Sequence, residues 1–232
     1  MNICGLQKLS MVDYPDKLAA TVFTGGCNLR CPFCHNALLV TRLSETPALP
    51  TDEVLDFLRS RRGLLDGVVL SGGEPLLHPD AADFLKAVRE LGFAVKLDTN
   101  GCFPDALSAI LDAGLVDFVA MDIKNTPEKY AATVGVPGLD MAPVYNSIDL
   151  IRRSGVDHEF RTTVVRELHT PADLEAIGQW LHGAPRYALQ QFVDSGNLID
   201  GDGFHPYGPQ EMHALADHLR PCFGSVILRG VD

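Results

Sequence analysis

The protein has 232 residues, of which 46% are hydrophobic and 21% charged, and these values are typical of a globular protein. Its net charge of −11 argues against a nucleic-acid ligand, because proteins that bind phosphate backbones usually carry a basic surface. No apolar run approaches the roughly 18 residues of a membrane span, and the first residues lack the features of a signal peptide. The sequence therefore predicts a cytoplasmic protein without nucleic-acid or membrane partners.

Short apolar runs, several of them rich in β-branched residues, predict strands that are buried on both faces of a parallel sheet. In chain order these runs are residues 19–24, 67–70, 93–97, 118–121, 158–165, 187–192 and 226–228.

Amphipathic segments between these runs predict helices with recognisable ends. Thr51 is placed to cap a helix that ends before Gly63, and Thr170 is placed to cap another whose first residue is Pro171. Further helices are expected between Asp80 and Gly92, from Pro104 to a stop at Gly114, and over roughly Pro209 to Arg220.

The alternation of strands and helices predicts an α/β fold of about six βα units. Their parallel sheet is expected to be open or curled into a partial (β/α)6-type barrel. Since the loop at residues 44–50 is too short to separate domains, residues 1–232 are expected to form a single domain.

The most informative motif contains Cys27, Cys31 and Cys34, on a loop after the first predicted strand. In a cytosolic protein, clustered cysteines indicate metal binding or catalysis before they indicate disulfides. Three thiolates at this spacing can surround one centre and supply three of the four ligands of a cubane iron–sulfur cluster. An iron without a protein ligand could then bind a small molecule that presents an amine and a carboxylate.

Two other interpretations of this loop remain open. The three cysteines could be reduced structural residues, or they could bind zinc together with His35. Because Cys34 and His35 are adjacent and do not easily reach one tetrahedral ion, the spacing favours a cluster over zinc.

The motif resembles that of the radical S-adenosylmethionine superfamily, in which an aromatic residue precedes the third cysteine, as Phe33 does here. The continuation Cys34-His35-Asn36 resembles the branch of glycyl-radical enzyme activating enzymes. A longer likeness, to activating proteins of anaerobic ribonucleoside-triphosphate reductases, covers GLQKLSMVDYP at residues 5–15 and FTGGCNLRCPFCHN at residues 23–36.

The resemblance implies a radical SAM core in which the loop at residues 25–36 holds a [4Fe–4S] cluster through Cys27, Cys31 and Cys34. One iron would be left for S-adenosylmethionine. A one-electron donor such as flavodoxin or ferredoxin would reduce the cluster, and cleavage of the sulfonium would give a 5′-deoxyadenosyl radical. That radical would take hydrogen from a glycine of a partner enzyme, expected to be anaerobic ribonucleoside-triphosphate reductase.

Two alternative functions remain. Within the class, the protein could be a radical enzyme that modifies a metabolite or another protein. Outside it, the same loop could belong to a non-catalytic zinc-binding module that contacts a partner.

The segment SGGEP at residues 71–75 follows the second predicted strand. Its two glycines let the backbone approach a ligand closely. The resemblance assigns Gly72 and Gly73 to the methionine amino group, and it leaves Glu74 either to touch the ligand or to brace the loop.

Two further polar segments follow the next strands. The resemblance places Asp98 and Thr99 in the lining of the cofactor pocket. It assigns Lys124 to the methionine carboxylate and Asp122 to the same polar cluster. The sequence leaves open whether a monovalent cation lies beside Asp98 and Asp122.

Arg161 lies inside the fifth predicted strand and needs a partner, because burial of an unpaired charge is costly. A cofactor carboxylate or an internal aspartate would serve equally. Gln190 offers an amide near the end of the sixth strand. Since the carboxyl ends of parallel strands meet at one face of a barrel, these clusters are expected to line one pocket.

Overall fold

The computed structural model describes residues 1–194, 196–200 and 203–231. Within these residues there are eight strands, and from the second strand onward one or two α-helices lie between consecutive strands of the chain. The strands are β1 (Ile3–Ser10), β2 (Ala19–Thr24), β3 (Gly67–Gly72), β4 (Ala94–Thr99), β5 (Phe118–Asp122), β6 (Asp157–Val164), β7 (Arg186–Gln191) and β8 (Ser225–Arg229).

The α-helices of the described residues are α1 (Ala37–Thr41), α2 (Thr51–Ser60), α3 (Ala81–Glu90), α4 (Pro104–Asp112), α5 (Pro127–Thr133), α6 (Ala142–Arg153), α7 (Pro171–Trp180) and α8 (Pro209–Leu219). Short 3-10 helices cover Leu43–Glu45, Pro75–Leu77 and Arg220–Cys222. The predicted α/β class is thus confirmed.

The chain divides into two compact units. The first contains Met1–Asn28, Leu38–Ala120 and Ala142–Asp157, and the second contains Leu29–Ala37, Met121–Met141 and His158–Asp232. The single domain expected for residues 1–232 stays a prediction.

In the first unit, β2 pairs in parallel with β3, and β3 pairs in parallel with β4. The apolar strand residues are buried on both faces, as expected for a parallel sheet that helices cover. On one face Tyr14, Ala19, Val69, Phe118 and Ala120 form a continuous core cluster.

The sequence did not predict β1, which pairs antiparallel with β2. Its residues ICGLQKLS interrupt the apolar run with a glycine and three polar side chains, so the pattern of a buried strand is missing. An edge strand needs only one partner strand and tolerates such a composition.

In the second unit, β6, β7 and β8 pair in parallel and in register. Tyr187 of β7 is fully buried, donates a hydrogen bond to Thr162 Oγ1 at 2.6 Å and stacks on Phe223. On β6, the buried Glu159 accepts hydrogen bonds from Arg229 of β8 at 2.6 and 2.8 Å, one on each carboxylate oxygen.

Two helix caps were predicted, and the structure confirms one of them. Thr170 caps α7 as expected: its hydroxyl accepts from the backbone N–H of Asp173, and the Asp173 carboxylate accepts from the N–H of Thr170. The expected cap at Thr51 is wrong, because Thr51 is already the first residue of α2 and Pro50 occupies the cap position. No helix of the described residues is long and apolar enough to span a bilayer.

Candidate functional site

In the first unit, the loop that carries Cys27 is fixed by its backbone. Gly26 N–H donates to the carbonyl of Leu39 at 2.7 Å, and Glu74 N–H donates to the carbonyl of Gly26 at 2.8 Å. The loop after β2 therefore lies directly against the loop after β3.

Gly72 and Gly73 make this close approach possible. Gly72 has a φ of 123°, which favours glycine, and a Cβ there would lie 2.2 Å from Thr24 N. A Cβ on Gly73 would lie 2.0 Å from the carbonyl oxygen of Gly26 and 3.4 Å from Cys27 Cβ. The glycines thus let one backbone segment pack on the segment that carries Cys27.

Glu74 is fully buried and braces two segments of the first unit. Its Oε1 accepts from Leu76 N–H at 3.1 Å and from the Thr99 hydroxyl at 2.8 Å. Its Oε2 accepts from Asn100 N–H at 2.7 Å. These contacts match the bracing role, one of the two roles that the sequence left open.

Asp98, at the end of β4, accepts hydrogen bonds from two neighbours in the first unit. Lys96 Nζ lies 2.5 Å from Oδ1, and Ser71 Oγ lies 3.0 Å from Oδ2. The Lys96 side chain is 1% exposed and that of Asp98 is 12% exposed, so this is a buried ion pair. The chain itself therefore supplies a cation beside Asp98.

Asn100 was not among the predicted site residues. Its side-chain amide Nδ2 lies 3.7 Å from Cys27 Sγ and 2.8 Å from Asn28 Oδ1. It directly follows Asp98 and Thr99 at the polar end of a strand, and this position could have indicated a role in the site.

In the second unit, Cys31 and Cys34 lie on one turn, in which Cys34 N–H donates to the carbonyl of Cys31 at 3.1 Å. Cys31 is buried and Cys34 is partly exposed. Burial raises the pKa of the Cys34 thiol, while a backbone hydrogen bond from Asn36 and the positive charge of Lys124 act in the opposite direction. The charge of Lys124 thus offsets part of the effect of burial on this thiol.

Asp122, Lys124 and Arg161 form one ionic cluster in the second unit. Lys124 Nζ donates to Asp122 Oδ2 at 2.9 Å, and Arg161 Nε donates to Asp122 Oδ1. The internal aspartate that the sequence left open as a partner for Arg161 is therefore Asp122.

The charges within this cluster stabilise one another. Burial would raise the pKa of Asp122, but Arg161 and Lys124 outweigh it and hold that pKa well below its usual range. Burial would lower the pKa of Lys124, but Asp122 and Cys31 hold it above its usual range. All three side chains are therefore charged, and together they carry one net positive charge.

Phe33 is buried in the second unit and meets the ring of His169 edge-on, with 6.5 Å between ring centroids. His169 Nε2 donates to the carbonyl of Lys124 at 2.7 Å, and Nδ1 accepts from Val165 N–H at 3.1 Å. Burial lowers the pKa of His169, so it is neutral and links the backbone of Lys124 to the end of β6. His169 was not predicted, because nothing near it in the chain indicates a site.

Gln190 lies on β7 between Thr163 of β6 and Arg229 of β8. It is partly exposed. Its neighbour Gln191 donates through Nε2 to the carbonyl of Tyr207 at 2.6 Å.

The residues of each unit fit an iron–sulfur cofactor in their chemistry. Cys27, Cys31 and Cys34 form no disulfide; the first has an amide N–H at its sulfur, and the positive charge of Lys124 acts on the other two. Thiolates are the usual ligands of such clusters. Among the described residues, no group of three or more His, Cys, Asp or Glu side chains is placed to hold a metal ion.

Comparison with known proteins identifies the family. The sequence matches the Radical SAM superfamily over residues 21–181, more than half of the chain. A candidate glycyl-radical enzyme activating enzyme of Methanocaldococcus jannaschii is 36% identical over 197 residues, which cover 82% of this chain and 79% of the relative. A pyruvate formate-lyase-activating enzyme of Clostridium pasteurianum is 33% identical over 132 residues, 55% of this chain and 54% of the relative.

A solved structure gives the same fold. Streptococcus suis SuiB bound to S-adenosylmethionine matches with a TM-score of 0.69 at 16% identity, over 89% of this chain and 49% of that chain. At this identity the likeness shows the fold alone. The chain spans about half the length of SuiB and of the Clostridium relative.

The radical SAM core and the resemblance to the activating branch are thus confirmed by matches to the superfamily and to relatives that bear the activating-enzyme name. The chain belongs to the radical SAM superfamily, whose enzymes use a [4Fe–4S] cluster and S-adenosylmethionine.

Proposed function

We propose that this enzyme activates a glycyl-radical enzyme by generating a radical on one of its glycines. The observation that carries the proposal is the 36% identity to an activating-enzyme relative over 82% of the chain, together with the motif of Cys27, Cys31 and Cys34. The partner we propose is an anaerobic ribonucleoside-triphosphate reductase, on the likeness of residues 5–15 and 23–36 to its activating proteins.

Cys27, Cys31 and Cys34 would hold the cluster and leave one iron for the amine and carboxylate of S-adenosylmethionine. When bound and reduced, this pair of cofactors supplies the one-electron cleavage that gives a 5′-deoxyadenosyl radical. The protein contributes ligands, orientation and the exclusion of competing reactions.

Lys124 is the residue that we assign to the methionine carboxylate. It belongs to a cluster of two cations and one anion, and the surplus positive charge suits an anionic group. Asp122 holds both Lys124 and Arg161 in place through its two oxygens. Arg161 therefore acts as a second, supporting cation in the proposal.

Four residues of the first unit are assigned to the rest of the cofactor. Gly72 and Gly73 would present backbone groups to the methionine amine, and Asp98 and Thr99 would line the pocket. Glu74 takes the bracing role, since both of its oxygens accept from the protein.

We also assign Phe33, the aromatic residue of the cysteine motif, and Gln190 to the cofactor pocket. Phe33 would act through packing, because it is 3% exposed. Gln190 would offer an amide from the carboxyl end of β7.

The proposal also includes an electron donor and a cellular location. A flavodoxin or ferredoxin would supply the electron. A cytoplasmic location fits six cysteines that form no disulfide, because reducing compartments keep thiols reduced.

The test begins with protein purified without oxygen. About four iron and four sulfide per chain are expected, together with release of 5′-deoxyadenosine when a reductant and S-adenosylmethionine are added. Cys31→Ala should abolish that release, whereas Cys222→Ala, which removes a buried thiol outside the motif, should preserve it. A colourless protein with one zinc would instead identify the binding module.

The partner is tested separately. The loaded enzyme is mixed with anaerobic ribonucleoside-triphosphate reductase, and a glycine-centred signal is sought by electron paramagnetic resonance. If 5′-deoxyadenosine forms but no cognate glycyl-radical enzyme gives a signal, the substrate is a metabolite or another protein.

A further inference from the structure

We propose that Asn100 is a positioning residue for the cluster: its side-chain amide donates a hydrogen bond to the sulfur of Cys27 and so favours the reduced cluster. This inference rests on the proposed function, in which Cys27 is a cluster ligand. It adds a residue to the site that the cysteine motif does not contain.

The contact lies entirely within the first unit. Asn100 Nδ2 is 3.7 Å from Cys27 Sγ, a separation that the large radius of sulfur makes typical for an N–H···S hydrogen bond, and 2.8 Å from Asn28 Oδ1. An amide group has two N–H bonds, so each of these acceptors can receive its own hydrogen.

The contact of the amide oxygen fixes the orientation of the Asn100 side chain. Asn100 Oδ1 accepts a hydrogen bond from the backbone N–H of Cys102 at 2.9 Å. Because a backbone N–H can only donate, the oxygen must face Cys102 and the nitrogen must face Cys27.

The backbone of Asn100 is also held firmly. Its N–H donates to the buried Glu74 carboxylate at 2.7 Å, and the next carbonyl, that of Gly101, accepts from Ser147 of α6 at 2.8 Å. Asn100 is 4% exposed, so water does not readily replace its contacts. The donor is therefore presented to the sulfur before any cofactor binds.

A donor at this position has a definite electronic consequence. A cysteine ligand of a cluster is a thiolate, and reduction adds further negative charge to the iron–sulfur unit. Hydrogen bonds to ligand sulfurs stabilise that charge and raise the reduction potential. Loss of the Asn100 donor should lower the potential and make the cluster harder to reduce.

The test compares variants that change the donor in different ways. Asn100→Asp keeps an oxygen for the Cys102 N–H and replaces the donor with a second oxygen, whereas Asn100→Ala removes both. Asn146→Asp introduces the same charge at an exposed position of α6 and serves as the control.

The midpoint potential of the cluster is measured by anaerobic redox titration followed by electron paramagnetic resonance. We expect it to fall in Asn100→Ala, to fall further in Asn100→Asp, and to match the wild type in Asn146→Asp. Equal potentials in the wild type and both Asn100 variants would overturn the inference.

A second measurement uses only the wild-type protein, so it applies even if the variants fail to hold a cluster. In reduced wild-type protein labelled with ¹⁵N-asparagine, electron–nuclear double resonance should detect an asparagine nitrogen and an exchangeable proton coupled to the cluster. Absence of both couplings would also overturn the inference. A wild-type protein that holds no cluster would refute the proposed function itself, whereas a working wild type with unshifted variants refutes only the role of Asn100.

Discussion

Lys96 Nζ lies 2.5 Å from Asp98 Oδ1 in the first unit, and both residues lie on β4, two positions apart. The ammonium group is almost completely enclosed. A lysine in the middle of an apolar strand thus neutralises the carboxylate that we assign to the cofactor pocket.

We expect Lys96→Met to lower the free energy of unfolding by about 3–5 kcal/mol, because it leaves a buried carboxylate without its cation. Urea denaturation monitored by circular dichroism measures the change. Lys86→Met removes the same charge from an exposed position of α3 and should change stability little. A loss as small in Lys96→Met as in this control would contradict the buried pair.

Gly73→Ala should disturb the loop that carries Cys27. The added methyl group would meet the Gly26 carbonyl oxygen at 2.0 Å, so one of the two backbones must move. We expect a cost of about 1–3 kcal/mol, as for other overpacked sites, and a lower iron content per chain.

Gly5→Ala is the matched control for this change, because its methyl group would meet Phe23 at an ordinary distance of 3.4 Å. Iron and sulfide analysis of anaerobically reconstituted protein provides the comparison. Full cluster content in Gly73→Ala would show that the loop tolerates the shift.

Lys124→Met should weaken the binding of S-adenosylmethionine. A hydrogen bond to a charged group contributes about 1.5–3 kcal/mol, which corresponds to roughly a 10-fold to 150-fold loss of affinity. Anaerobic titration calorimetry of the cluster-loaded protein measures the dissociation constant. Lys129→Met removes the same charge from α5 in the same unit, and an equal loss in both variants would argue against a direct role for Lys124.

The stability of α7 should depend on pH through Asp173. Burial would raise the pKa of Asp173, but hydrogen bonds from Lys129 and Thr170 outweigh it and hold the pKa below the ordinary value of 3.8. The contribution of Asp173 is therefore fully present above that value and is lost as the pH falls through the lower pKa of the folded state. In Asp173→Asn, the free energy of unfolding should fall less steeply between about pH 4 and pH 2, as measured by urea denaturation.

Much of the fold followed from the sequence, because buried parallel strands leave uninterrupted apolar runs. The runs at 19–24 and 118–121 correspond to β2 and β5 almost residue for residue. Helices α5 and α6 were not predicted. The first has seven residues, too few for a clear apolar period. The second is flanked by signals that were not used, Pro143 in its first turn and Gly155 just beyond its end.

The site was predictable where short motifs carry it and unpredictable where distant residues meet. The cysteines, the glycines and Asp98 stand in recognisable motifs. The bond between Asn100 and Cys27 joins residues 73 positions apart, and the pair of Asp122 with Arg161 joins residues 39 positions apart. Such contacts depend on the order in which the strands assemble, which local sequence does not encode.

Glu74 has a consequence for how this protein can vary. Its carboxylate fixes the path of two separate backbone segments by accepting from Leu76, Thr99 and Asn100. Glutamine, the substitute nearest in shape, would turn an amide toward groups that themselves donate. Glutamine therefore cannot satisfy all three donors at once, and we expect a change at Glu74 to require matching changes in the segments that contain Leu76 and Asn100.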